Sequence, residues 1–147
     1  MVTIIHLPHF NKTEGLRRTT AIVKDVGIDV DKVVIDHNTE ETMAACRETG
    51  CYCGMTVYPI SKLTPKRVSE IIHEYGSERM IVDGSADWGI SDPLSLVKVV
   101  SFLAEDGHSE DTIQNLVCKN AMKFYSGSDK WNPELNLIPV DPKEFQR

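Results

Sequence analysis

The sequence lacks any run of about 18 apolar residues, the length that spans a bilayer as a helix, and Met1 leads into "VTII" without a basic segment or a small-residue cleavage site. Clusters of lysine and arginine are missing too: 22 acids against 16 bases leave a formal charge of −6. That balance argues against an extensive nucleic-acid or membrane surface, while leaving room for a small phosphorylated substrate. The expected location is the cytoplasm. The four cysteines, Cys46, Cys51, Cys53 and Cys118, form neither a CxxC pair nor a regular framework, which speaks against a zinc knuckle or a secreted disulfide scaffold. Cys51 and Cys53 flank Tyr52 in a strand-like run, so the two-residue period of a strand sends both thiols to one face as small buried hydrophobes. There is no low-complexity segment either.

What is present suits one globular domain: 147 residues, 41% hydrophobic and 26% charged. Short β-rich apolar runs alternate with helical patterns, the signature of an α/β chain built on a parallel sheet. Four βα units can be counted. "VTIIH" precedes a helix over 13–26 with Gly27 as its stop signal, and "KVVIDH" precedes "NTEETMAACRET", where Asn38 and Glu41 have capping-box spacing. "CYCGMTVY" leads to a helix capped by Thr64 with Pro65 in its first position, and Val68, Ile71, Ile72 and Tyr75 mark its buried stripe. "RMIVDG" opens the loop "SADWGISDP", after which a helix starts near Pro93, capped by Asp92 or Ser91, with Leu96, Val97, Val100 and Leu103 facing inward. A last helix begins at Ser109 and runs to Tyr125 with Ile113, Leu116, Val117, Ala121 and Phe124 as one stripe. The domain therefore covers 1–125. Residues 126–147 have three prolines and no sustained period, and are expected to form an irregular tail that docks through Trp131, Leu135, Leu137 and Ile138.

Chemically capable residues gather where the strands end. His6 closes the first strand, His37 the second and Tyr58 the third, and Asp83, Asp87 and Asp92 follow the fourth. In parallel α/β architectures those carboxyl ends share one edge of the sheet, so residues distant in sequence converge there. Two imidazoles and a carboxylate are a common ligand set for a catalytic divalent metal that keeps a position open for water. Asp87, in a loop freed by Gly84 and Gly89, is the first choice as ligand and proton acceptor, with Asp83 as the competing carboxylate. His9, Tyr58 and Lys62 are the candidate substrate contacts. Packing competes with that role for Tyr58, and solvation competes with it for His9 and Lys62. His73 and His108 read as surface residues.

The segments "IIHLPH", "VVIDHNTEET", "GMTVYPISKLTPKRVSEIIHEYGSERMIV", "SADWGISDPL" and "NAMKFY" together resemble the carboxyl-terminal half of TatD-like metal-dependent hydrolases, over about residues 3–125. That resemblance implies half of a (β/α)8 TIM-type barrel with a metal centre of the amidohydrolase kind. Carried over by position, His6 looks like the fifth-strand histidine, His37 the sixth-strand histidine and Asp87 the last-strand aspartate. "VDGSADW" departs from the family's last-strand motif, which leaves Asp83 and Asp87 both in play. The implied reaction is hydrolysis of a phosphoester or amide-like bond by metal-activated water, with zinc the first expectation and manganese or magnesium the next.

The family's opening His-x-His strand and fourth-strand ligand have no counterpart, since the first strand here matches a fifth. An open four-strand sheet exposes two edges and an inner face. The expected relief is a second copy, or a partner chain that completes the barrel. The alternative to an enzyme is a non-catalytic half-barrel that serves assembly or binding and keeps a vestigial metal site.

Overall fold

A computed structural model describes residues 1–58, 60–85 and 89–132. Its framework is a parallel sheet of four strands, β1 (Thr3–His6), β2 (Val33–Asp36), β3 (Tyr52–Val57) and β4 (Met80–Gly84), adjacent in the order in which the chain makes them. The helices are α1 (Lys12–Val26), α2 (Glu40–Glu48), α3 (Pro65–Tyr75), α4 (Ser95–Glu105), α5 (Glu110–Gln114) and α6 (Asn120–Tyr125), with a π-helical turn at Asn115–Lys119 between the last two. This is the expected α/β class, a parallel sheet with flanking helices, consistent with a half-barrel of βα units.

Strand alternation divides the sheet into two faces. Val33, Ile35, Cys53, Met55, Val57, Met80 and Val82 pack with Leu16, Val23, Met43, Cys46, Val68, Ile71, Ile72, Val99 and Leu103 of α1 to α4 in the principal core. Cys51 and Cys53 both enter that core as free thiols, which follows from their spacing around Tyr52. On the other face, Val34, Tyr52 and Ile81 form a smaller cluster closed by Phe124 of α6, whose ring meets Tyr52 edge-on at 5.3 Å. That apolar floor fills the amino-terminal half of the inner face. Above it, two or four residues further along each strand, the inward positions become His6, Asp36, Gly54, Thr56 and Asp83.

Several local expectations shift. The capping pair of α2 is Thr39 and Thr42, with the Thr39 N–H donating to Thr42 Oγ1 at 3.1 Å, because the Asn38 side chain is buried and donates to Ile35 O (2.7 Å) and Gly54 O (3.2 Å) instead. Thr64 does cap α3, accepting from the Arg67 N–H at 3.3 Å. Asp92 stabilises the turn before α4, accepting from the Leu94 N–H, so the helix starts later than Pro93 suggests. In α4 only Ser95, Val99 and Leu103 are buried, whereas Leu96, Val97 and Val100 stay exposed. No strand follows β4 among the described residues, and α4 packs on β4, α3 and the short α5, which leave these three side chains uncovered. The expected last helix is interrupted by the π turn. Trp131 is partly exposed, and Leu135, Leu137 and Ile138 lie outside the described residues.

Candidate metal centre

The carboxyl ends of β1 to β4 line an open trough of about 380 Å³ whose walls include His6, Asp36, His37, Thr56, Lys62 and Asp83. A larger groove, about 970 Å³, runs between α1 and α2 on the far side of the sheet, but no histidine or cysteine lines it. The chemistry concentrates in the smaller space.

His6 and His37 meet there, with Nδ1 of the first 2.9 Å from Nε2 of the second and ring centroids 4.6 Å apart. Parallel pairing sets His6 beside Asp36 in register, and the Asp36 Oδ2 lies 3.2 Å from His6 Nδ1 and 3.1 Å from His37 Nδ1. Thr56 Oγ1 sits 2.7 Å from His37 Nδ1 and donates toward both Asp36 oxygens at 3.3 and 3.4 Å. Asp83, one strand further on, is in register with Thr56 and lines the same trough. Four strands thus deliver two imidazoles, two carboxylates and one hydroxyl to a single rim.

Backbone geometry aims His37. Its φ of 66° is left-handed, a region that costs a residue with a Cβ roughly 1–2 kcal/mol. Its neighbours hold it there: Asn38 is pinned to two carbonyls, and Lys12 Nζ donates to His37 O at 2.7 Å. Gly54 provides room. A Cβ at that position would lie 2.9 Å from the Asp36 Cα and overlap its carboxylate, so β3 passes beneath Asp36 only because it carries glycine there.

Burial is the chief cause of the electrostatic character. It pushes the His37 imidazole down to about 4, against the opposing pull of Asp36, so the ring is neutral at neutral pH and its contact with Asp36 is no ion pair then. Burial, followed by repulsion from Asp36, pushes the Asp83 carboxyl up to about 7. Lys12 is lowered, again mainly by burial.

These groups fit a divalent cation. A neutral imidazole offers a lone pair, and one donor atom each from His6, Asp36 and His37 lie within 4.8 Å of one another. Contacts of 3.1 and 3.2 Å to Asp36 approach the separation of about 3.3 Å between ligand atoms of tetrahedral zinc. The repulsion between buried Asp36 and half-buried Asp83 would also be relieved by positive charge.

The candidates read from the sequence can be placed individually, although Asp87 lies outside the described residues. His6, His37 and Asp83 reach the trough, and Lys62 lines it. The His9 ring stacks 6.4 Å from that of His37. Tyr58 is buried, with its hydroxyl close beneath Gly89, and it is not among the residues lining the trough. Sequence reasoning missed Asp36, Thr56 and Lys12. The signal for Asp36 was available: it is the one carboxylate in the apolar run "VVID", on the same strand face as Val34.

No family model matches the chain. A similar curated protein is an uncharacterized metal-dependent hydrolase of Methanocaldococcus jannaschii, 35% identical over 127 residues. The match takes in 85% of this chain and 49% of that protein, so the chain spans about half the length of the relative it matches.

Proposed function

We propose that the chain is a metal-dependent hydrolase of the TatD-like type, forming the carboxyl-terminal half of its catalytic barrel and acting on a phosphoester or amide-like bond. The observation that carries this reading is the convergence of His6, His37 and Asp36 on one donor cluster at the carboxyl ends of adjacent parallel strands. The similar archaeal hydrolase supports the same chemistry.

His6, His37 and Asp36 would hold the metal, with Asp87 the further carboxylate expected from the loop after β4. A bound divalent cation, zinc first and manganese or magnesium next, supplies Lewis acidity and lowers the pKa of water toward about 7. Asp87 is assigned the proton from the attacking water. Asp83, whose carboxyl lies near 7, can store or return a proton at the same rim. Lys62 supplies a cation for an anionic group of the substrate, and His9 stands beside the His37 ring to orient it. Tyr58, whose hydroxyl lies close to Gly89, is assigned with them to the substrate-contacting set.

The two open sheet edges and the inner face above Phe124 are the surfaces that a second copy or a partner chain would cover to complete the barrel. Ile4, an inner-face residue 43% exposed, belongs to that surface.

The test is metal stoichiometry in the purified chain. Zinc or manganese content, measured by elemental analysis after equilibrium dialysis, falls by one equivalent in His37→Ala. An unchanged count in that variant overturns the assignment.

A further inference from the structure

A second donor cluster lies away from the trough, in the helical layer. His73 on α3 and Asp106 and His108 in the turn after α4 bring one donor atom each within 4.8 Å of one another. His73 Nε2 is 3.2 Å from Asp106 Oδ2, and His108 Nε2 is 4.0 Å from the same oxygen. The two imidazole rings lie with centroids 4.1 Å apart. His108, read from sequence as a surface residue, is largely enclosed: its side chain is 7% exposed, because the turn at Gly107 folds it back against Ser69. Gly107 permits that turn with a φ of 86°.

A hydrolytic triad does not explain this arrangement. In such a triad the acid holds the imidazole nitrogen remote from the nucleophile. Here Asp106 bonds to the Ser69 hydroxyl itself and approaches the same His108 nitrogen that contacts Ser69 at 2.8 Å. Ser69 is moreover fully buried, out of reach of any substrate. Three donors from two separate segments converge on one point. That convergence suits a cation.

We infer that His73, Asp106 and His108 form a second zinc site, separate from the trough, that ties α3 to the turn following α4. The 3.2 and 4.0 Å donor separations bracket the value of about 3.3 Å set by tetrahedral zinc, so closure needs a small shift of the His108 ring and its Nδ1–H tautomer, with Nε2 exchanging its contact to Ser69 for the cation. Two imidazoles and a carboxylate match first-row divalent ions such as zinc rather than magnesium or calcium, which prefer all-oxygen shells. The site opens to solvent on the His73 and Asp106 side, whose side chains are 57% and 42% exposed, and that leaves an entry path and a fourth position for water. Ser69 keeps the carboxylate oriented from below. Zinc here links two helices that already pack together, and its role is to clamp them rather than to react.

Cobalt(II) serves as the probe, because its visible absorption reports tetrahedral coordination. In a His6→Ala/His37→Ala background, which removes the trough imidazoles, the chain binds one cobalt per molecule with intense visible bands, and zinc displaces it. Adding His73→Ala, or separately Asp106→Asn, weakens binding at least tenfold and abolishes the bands. No cobalt bound by the folded background, or binding unaffected by both added substitutions, overturns the site. Should the background fail to fold by circular dichroism, His73→Ala in the otherwise unaltered chain gives the answer. It loses one metal equivalent and the zinc-induced rise in melting temperature; an unchanged count and melting temperature overturn the proposal. Because these readouts follow His73 and not His37, they succeed or fail independently of the hydrolase reading.

Discussion

Asn38→Ala tests how the fold aims the metal-binding rim. Asn38 is 1% exposed and serves three partners: its amide donates to Ile35 O at 2.7 Å and to Gly54 O at 3.2 Å, and its carbonyl accepts from Thr42 Oγ1 at 2.9 Å. Truncation does not orphan all of them. Gly54 O keeps the Asn38 backbone N–H at 3.0 Å, and the Thr42 hydroxyl can fall back on Thr39 O at 3.3 Å. The loss is therefore one buried hydrogen bond in full and parts of two more, plus a small void, which amounts to about 2–3 kcal/mol. Urea denaturation of the metal-free chain measures it directly. Asn38→Asp fills the same space but sets a carboxylate against two carbonyl oxygens, so it costs more than alanine at pH 7. Protonation of that carboxyl relieves the repulsion. Its folded pKa must lie above its unfolded value, so the carboxylate's penalty is absent below pH ~4 and grows as pH rises, and the gap between the two variants narrows on acidification. Both variants also loosen the left-handed backbone of His37, and zinc affinity falls with stability. An alanine variant within about 0.5 kcal/mol of the parent would refute the claim that Asn38 ties β2 to β3.

Other outcomes follow from the same geometry. Gly54→Ala pushes a methyl into Asp36 and costs roughly 1–3 kcal/mol in denaturation, with a parallel loss of metal affinity; a neutral result contradicts the close strand approach. Asp83 has a folded pKa raised from 3.8 to about 7, so in the metal-free chain its contribution is intact below pH ~4 and is lost as pH rises through about 7. Asp83→Asn should flatten that decline by an amount on the order of a few kcal/mol between pH 4 and 8, and identical pH profiles for variant and parent would disprove it. Sedimentation at micromolar concentration should detect self-association through the open sheet, whereas a well-folded monomer removes the second copy as the cover.

Much of this architecture is legible in the sequence because local and global signals agree. The alternation in "CYCGMTV", the Thr64–Pro65 start and the Gly27 stop each mark their element unaided, and strand-end placement brings His6 and His37 to one rim although they lie 31 positions apart. What escapes depends on neighbours that no local pattern reveals. Asn38 has the composition of a cap but is drawn inward by one carbonyl of β2 and one of β3, leaving Thr39 to start the helix. The apolar stripe of α4 is real, yet only Val99 and Leu103 among its hydrophobes find a buried place. His108 has the context of a turn residue and is enclosed only because Ser69, 39 positions earlier, lies beneath it. For Asp36 the local signal, a lone carboxylate in an apolar strand, marks it as unusual, but its place beside His6 comes only from the register of β1 with β2.

The wide turn at Asn115–Lys119 has a geometric consequence for the end of the chain. In an unbroken α-helix, Ile113, Leu116 and Phe124 would share one stripe, and all would point at the same layer. Five residues wound at the looser pitch lag by nearly a quarter revolution, and the stripe splits: Ile113 and Leu116 enter the principal core while Phe124 swings round to roof Tyr52. The segment therefore acts as a corner bracket that joins both sides of the sheet, and its angular phase, more than its composition, decides which side each aromatic serves.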